Sequence, residues 1–322
     1  MTDVRRPATV AVVGAGAIGM TIGAALAAAG HEVVACAPRR PERDAILVEL
    51  LGAERAPDQT AEPPVEWPVR WCTDPGGVRP VEWVVLATKI HQTEAARAWL
   101  DALVGEQTAI IAAQNGVDHR ERLARLTAAP VAPALVYYNA ERVGVGHVRV
   151  RPTERDLVLP DDETGRAAAA FVGAAGIRAL ADPDFTTAAW LKLLTNAAAN
   201  PITALTGRRI EVLTVPAVAA LARDVLREAA AVGRAEGADL PADVAEERLT
   251  WLQRLRPGST TSMLQDKDAG RPLEHDGLTG AIVRAGERHG IPTPANAALL
   301  ALLMGLSAGQ DAEADRRSGA VE

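Results

Sequence analysis

The sequence predicts an α/β domain on a doubly wound, mostly parallel sheet over residues 1–183, followed by an all-α domain over residues 184–307. Three observations predict this. Short β-branched runs alternate with helical stretches through the first half, a glycine cluster stands directly behind the first run, and the strand signals stop after Ala181-Asp182-Pro183-Asp184.

The first run, residues 9–13, leads straight into Gly14-Ala15-Gly16-Ala17-Ile18-Gly19. A helical stretch continues to Ala29, Gly30 stands where a left-handed cap is wanted, and residues 33–36 read as the second strand of a βαβ unit. Further strands read at 69–72, 83–87, 108–112 and 131–137, with a helix at 93–103 among them. Residues 143–150 and 156–159 look like a hairpin ahead of a helix at 163–175. Beyond the boundary, helices read at 186–199, 216–236, 242–255, 274–288 and 294–306, with a break at Pro257-Gly258-Ser259. Residues 308–322 are small, polar and charged and read as a disordered tail.

The 322 residues, 48% of them hydrophobic, suffice for one large domain or two ordinary ones. A net charge of −7 with both signs interspersed argues against a nucleic-acid face and against attachment to an anionic membrane, leaving a small molecule as the expected partner. No signal peptide or membrane-spanning run is read, and the two cysteines, Cys36 and Cys72, lie in apolar strand-like runs. They suit a reducing compartment, so the expectation is a cytoplasmic protein. The six histidines lack ligand spacing, no metal site is expected, and His275 is expected to point to solvent from a helix. An apolar helical domain is compatible with a homodimer.

The glycine cluster has a mechanism. Its first Gly makes the tight turn, its second lets the backbone approach a pyrophosphate, and its third allows close helix–strand packing. Standing after a strand and opening a helix, it points to a Rossmann-like dinucleotide site at Gly14, Ala15, Gly16, Ala17, Ile18 and Gly19. An NAD-preferring fold places an acid at the end of the second strand, where this chain has Ala35, Cys36 and Ala37. Arg39 and Arg40 follow and could pair with a 2′-phosphate, which favours NADP; two loop arginines could equally be a solvated face. Two polar clusters fall at the carboxyl ends of strands, where open α/β sheets bind ligands: Thr88-Lys89-Ile90-His91-Gln92 and Gln114-Asn115-Gly116. Lys89 could contact cofactor hydroxyls or substrate charge and Asn115 the nicotinamide side, although Asn-Gly is also an ordinary turn.

Only three of the 34 basic residues are lysine: Lys89, Lys192 and Lys267. Unlike Arg, a partly buried Lys can be tuned toward neutrality and act as an acid. Lys192, Asn196 and Asn200 are spaced by four, so they lie in a row on one helix face, amid Leu193, Leu194, Ala197 and Ala198. Such a stripe is either a satisfied core network or a substrate-facing wall, and the Lys at its head favours the wall. Further on, Ser262 reads as an N-cap and Glu274 as a first-turn acid, and spacing alone brings neither to Lys192.

These residues together resemble the 2-dehydropantoate 2-reductase (ketopantoate reductase) family. The likeness rests on the glycine turn, Thr88-Lys89 with Gln92, Gln114-Asn115-Gly116, Lys192 with Asn196 and Asn200-Pro201, Ser262 through Asp266, and Glu274 with Gly280. It implies NADPH-dependent reduction of ketopantoate to pantoate in pantothenate biosynthesis, in a cleft between a Rossmann-like and a helical domain. Lys192 is then the general acid; Glu274, Ser262, Asn196 and Asn200 hold the substrate; and Asn115 serves both ligands. One departure stands out: Thr279-Gly280 replaces the family's usual Asn-Gly. The alternatives are a family member acting on another 2-oxo acid and a non-catalytic NADP sensor.

Overall fold

The computed structural model describes residues 6–51, 63–151 and 153–319, with side chains in the last helix described to residue 309. The chain divides into two compact units, Met1–Phe185 and Thr186–Glu322.

In chain order the first unit contains β1 (Thr9–Val13), α1 (Ala17–Ala28), β2 (Glu32–Cys36), β3 (Ala45–Leu50), β4 (Val65–Pro68), β5 (Arg70–Cys72) and β6 (Trp83–Leu86). There follow α2 (Arg97–Leu103), β7 (Ala109–Ala112), α3 (His119–Leu123), β8 (Val131–Pro133), β9 (Leu135–Val136), β10 (Asn139–Gly144), β11 (His147–Arg151), β12 (Leu157–Pro160), α4 (Glu163–Ala174) and β13 (Ala179–Asp182). Six strands form a parallel sheet in the order β5-β2-β1-β6-β7-β8. From β1 the chain winds first one way and then the other, so the switch point lies between β1 and β6, at whose carboxyl ends an α/β sheet takes its ligand.

These strands read as unbroken apolar runs because both faces of the sheet are covered. Val10, Val12, Val33, Val85 and Ile111 pack with Met20 and Ile22 of α1 on one face. Ala11, Val13, Val84, Leu86 and Ile110 pack with Leu100 and Leu103 of α2 and Leu123 of α3 on the other.

Three local expectations are corrected. The single strand expected at 131–137 is broken: β8 joins the parallel sheet, whereas β9 pairs antiparallel with β12 in a small sheet of order β13-β12-β9. Pro133, which has no N–H to give a ladder, ends the first piece. The hairpin lies earlier than expected, between β10 and β11, with Gly146 supplying the positive φ of its turn. Finally, β3 and β4 form an unforeseen insertion that joins that hairpin in a four-stranded sheet, β10-β11-β3-β4.

The second unit is helical: α5 (Phe185–Thr206), α6 (Pro216–Ala235), α7 (Val244–Gln253), α8 (Ser262–Asp268), α9 (Thr279–His289) and α10 (Pro294–Gly319). α5 runs seven residues past its expected end at 199 and carries Pro201 inside it. Pro removes one helical hydrogen bond, but Ile202, Thr203 and Ala204 beyond it are buried, and packing holds the helix where propensity would end it. α9 starts five residues later than expected, which leaves Glu274 and His275 in the preceding turn rather than on the helix. α10 continues through the segment whose composition suggests fraying; residues 320–322 of that segment lie outside the described residues.

Candidate active site

Each unit carries its own group of candidate residues. In the first unit the glycine turn closes the end of β1. Gly14 has φ +97°, and a Cβ there would meet the backbone N of Thr88 at 2.6 Å, so only glycine fits. A Cβ on Gly19 would meet the carbonyl oxygen of Gly14 at 2.2 Å, so this residue is required for the helix to pack against the turn. Gly16 is different: a Cβ built on it meets nothing within 4 Å. It is the N-cap of α1, no side chain caps that end, and no acid stands in the first turn. The N-terminal amide donors of a helix accordingly border open space, the setting in which a pyrophosphate is bound. These residues therefore fit a dinucleotide.

At the end of β2, the Cys36 position is buried and apolar, and its thiol is pushed up to about 12 by burial. Residues 35–37, which end β2 and follow it, carry no carboxylate to take a ribose 2′-hydroxyl. Arg39 and Arg40 are exposed just beyond; Arg40 pairs with Asp44 at 3.5 Å, while among the described residues Arg39 has no ion pair.

After β6 the chain turns at Thr88 and Lys89, both half-buried, into one 3-10 turn over Ile90–Gln92. Lys89 N–H donates to the side chain of Gln92 at 3.3 Å. After β7 comes Gln114, buried, then half-buried Asn115, then Gly116 with φ +101°. The Gln114 amide group donates to the Thr88 carbonyl (3.1 Å), the Thr88 hydroxyl (2.9 Å) and the Thr93 hydroxyl (3.0 Å). The sequence marked Gln114 only as part of the Gln114-Asn115-Gly116 cluster and not for its links to Thr88 and Thr93, and Thr93, His119 and Arg122 were not singled out. The signal was faint: a Gln standing directly before an Asn-Gly turn.

In the second unit α5 places Lys192, Asn196 and Asn200 in one row. Lys192 and Asn196 are half-buried, and Asn200 is 3% exposed with its Nδ2 lacking a hydrogen-bond partner among the described residues. Burial pushes the Lys192 amine down to about 8, and the nearby Glu274 carboxylate pulls it back up. Glu274 is itself 5% exposed. The structure thus brings to Lys192 a carboxylate that spacing could not place. Ser262 is exposed and is the first residue of α8; Thr261, not Ser262, is the N-cap, its hydroxyl accepting from Leu264 N–H at 3.2 Å. Thr203, one turn beyond Asn200 on α5, meets the Thr261 hydroxyl at 2.7 Å. Thr203 gives its own proton to the Ala199 carbonyl at 2.7 Å, so Thr261 is the donor, and Ser262 is tied to the α5 row through this pair. His275 is half-buried in the turn, at 3.3 Å from the Ser307 hydroxyl, and burial lowers its pKa. Thr279 is fully buried, and its hydroxyl has no partner among the described residues.

Among the described residues no group of His, Cys, Asp and Glu could hold a metal ion, and no helix is long and apolar enough to cross a membrane. What remains is a dinucleotide-type turn in one unit and, in the other, a tuned amine beside a buried carboxylate and an amide with a spare donor.

Comparison with known proteins gives this arrangement a family. The profile of ketopantoate reductase PanE/ApbA matches residues 10–162, and that of the ketopantoate reductase PanE/ApbA C terminal matches residues 184–307. A 2-dehydropantoate 2-reductase of Mycobacterium tuberculosis is 40% identical over 305 residues, 93% of this chain and 98% of its own. A PanE/ApbA family ketopantoate reductase from Ralstonia eutropha superposes with a TM-score of 0.81 at 34% identity, covering 94% of this chain and 99% of that one. A ketopantoate reductase from Staphylococcus aureus, described as dimeric, superposes with a TM-score of 0.80 at 25% identity, covering 94% and 99%.

Proposed function

The chain belongs to the ketopantoate reductase family, and we propose that it reduces ketopantoate to pantoate with NADPH, a step of pantothenate biosynthesis. The observation that carries this reading is the Lys192 amine, brought by burial to about 8 beside Glu274 and in line with Asn196 and Asn200. A group of that pKa is still mostly protonated at neutral pH and gives up its proton readily.

Gly14 through Gly19, Arg39, Lys89 and Asn115 would hold the cofactor, with Arg39 meeting a 2′-phosphate and the α1 amides the pyrophosphate. NADPH, when bound, supplies the hydride that C2 of the 2-oxo acid accepts. Lys192 has two roles: its charge stabilises the negative oxygen as the carbonyl is reduced, and its Nζ then gives that oxygen a proton, which solvent returns. Glu274 keeps the amine charged at neutral pH. Asn196, Asn200, Ser262 and Asn115 orient the substrate, and the buried Asn200 Nδ2 is a donor for which a substrate oxygen would be the partner. A homodimer, as described for the Staphylococcus aureus relative, and a cytoplasmic location suited to two free cysteines complete the proposal.

A second reading, the same chemistry on a different 2-oxo acid, is favoured by Thr279. Its buried, unpartnered hydroxyl stands where the family motif usually carries Asn, so the polar groups offered here differ. Initial rates of NADPH oxidation with ketopantoate, beside other 2-oxo acids and beside NADH, decide between them. A kcat/KM for ketopantoate far above the rest is the expected result. Turnover of another acid alone would favour the second reading, and cofactor binding without any turnover would leave a sensor.

A further inference from the structure

The Gln114 side chain is buried past the carboxyl end of β7, next to β6 at the switch point, and its hydrogen bonds do not stay within its own loop. Its amide group reaches the carbonyl and hydroxyl of Thr88 and the hydroxyl of Thr93, which flank Lys89 on both sides in sequence. Thr93 passes its own proton to the Ile90 carbonyl at 2.7 Å, so the 3-10 turn after Lys89 is held as well. Thr88 in turn lies against the glycine turn, where the space of a Gly14 Cβ is taken by its backbone N. Gln114 thus joins the ends of three adjacent strands, β1, β6 and β7.

Gln114 is itself held from behind. Its side-chain oxygen accepts from Arg122 Nη2 at 3.3 Å, and its backbone carbonyl accepts from His119 Nε2 at 2.8 Å. The carbonyl can only accept, so the His119 proton sits on Nε2. Both residues belong to α3, the helix that follows the Asn115-Gly116 turn, and Arg122 is anchored by an ion pair to Asp118.

We propose that Gln114 is a positioning residue: it sets the Thr88–Gln92 turn and Asn115 in one fixed register, so that Lys89 and Asn115 meet the cofactor together. This rests on the reading that the first unit binds NADPH. The physical case is the cost of the alternative. Without the Gln114 donors, the half-buried hydroxyl and carbonyl of Thr88 and the buried hydroxyl of Thr93 lose a donor, and the loop that carries Lys89 is no longer tied to the one that carries Asn115.

The test uses Gln114→Leu in the full chain, with Gln114→Glu, which keeps an acceptor for Arg122 but offers Thr88 no donor, should the first fail to fold. Amide hydrogen exchange of the ligand-free protein is expected to quicken at residues 88–93 and 115–116 while α5 is unchanged. The NADPH dissociation constant, read from cofactor fluorescence, is expected to rise about tenfold. In a Lys89→Ala background the same substitution is expected to cost threefold or less, because Gln114 acts through a residue already removed. Unchanged exchange in the two loops, or a tenfold loss in both backgrounds, overturns the proposal. If the parent protein binds no NADPH but the exchange responds as stated, the positioning role stands and the functional reading falls.

Discussion

The glycine turn of the first unit and the Lys192 row of the second are built by opposite means. The turn works through absent side chains: Gly14 and Gly19 leave no room for a Cβ, and Gly16 leaves room for something that is not protein. The row works through side chains that are costly to bury, an amine, a carboxylate and an amide, kept from water and only partly matched. The first should therefore govern cofactor affinity and tolerate pH, while the second should govern turnover and be sensitive to it.

Lys192→Ala should break this comparison most visibly. Loss of a general acid that also stabilises charge is expected to lower kcat by about 10³-fold, with NADPH affinity within twofold of the parent; full turnover would remove Lys192 from the mechanism. The pH profile carries the same signature. With Lys192 near 8, the rate of reduction should fall as pH rises through that value, because the proton donor is lost. The stability link has the opposite sense. The folded state holds the Lys192 proton less tightly than the unfolded chain, where the amine keeps its ordinary value of 10.5, so this residue adds stability as pH rises from about 8 toward 10.5.

Three glycine substitutions would sharpen the other side. Gly16→Ala should fold like the parent, since its Cβ meets nothing within 4 Å, yet lose about tenfold or more in NADPH affinity by filling the space beside the α1 amides. Gly14→Ala and Gly19→Ala should instead lower the melting temperature, because their Cβ atoms meet backbone at 2.6 and 2.2 Å. Normal melting curves for Gly14→Ala and Gly19→Ala would remove the packing role of those two positions, whereas unchanged affinity for Gly16→Ala would show that the turn is a packing feature alone.

Glu274→Gln should act through pH more than through structure. Glu274 is what pulls the Lys192 pKa up against burial, so its neutral counterpart should move the alkaline limb of the kcat profile to lower pH. At pH 7.5 a loss of about tenfold is expected. An unmoved limb would mean that Glu274 serves the substrate and not the amine.

The two halves also differ in how far they were legible. The glycine turn could be read because its requirement is local: a strand, three glycines at fixed offsets and a helix say what must happen within six residues. The row on α5 could be read from the spacing of four, but Glu274 could not be brought to it, since that contact depends on where the α9 turn is packed and not on any period. The links made by Gln114 could not be read for a similar reason. Its partners lie 26 and 21 residues back, in the segment after the neighbouring strand β6, and a single Gln before Asn-Gly says nothing of them. The same limit explains the misplaced hairpin. The runs at 143–150 and 156–159 both read as strands, but pairing is decided by burial against other elements, and β12 found β9 and β13 while β11 found β10 and β3.

The smallest effect expected is also the most discriminating within the second unit. Thr203→Val keeps the shape of a fully buried side chain and removes the hydroxyl that receives the Thr261 proton. Thr261 still caps α8 through Leu264, so the helix should persist and the melting temperature change little. What is lost is the tie between the Ser262 end of α8 and the row on α5. If Ser262 holds the substrate, KM for the 2-oxo acid should rise about two- to tenfold, the worth of one hydrogen bond, with kcat within twofold and NADPH affinity unchanged. A fall in kcat with KM unmoved would place Thr203 on the proton path instead, because the α5 row would then have shifted at Lys192 rather than at its substrate-holding end.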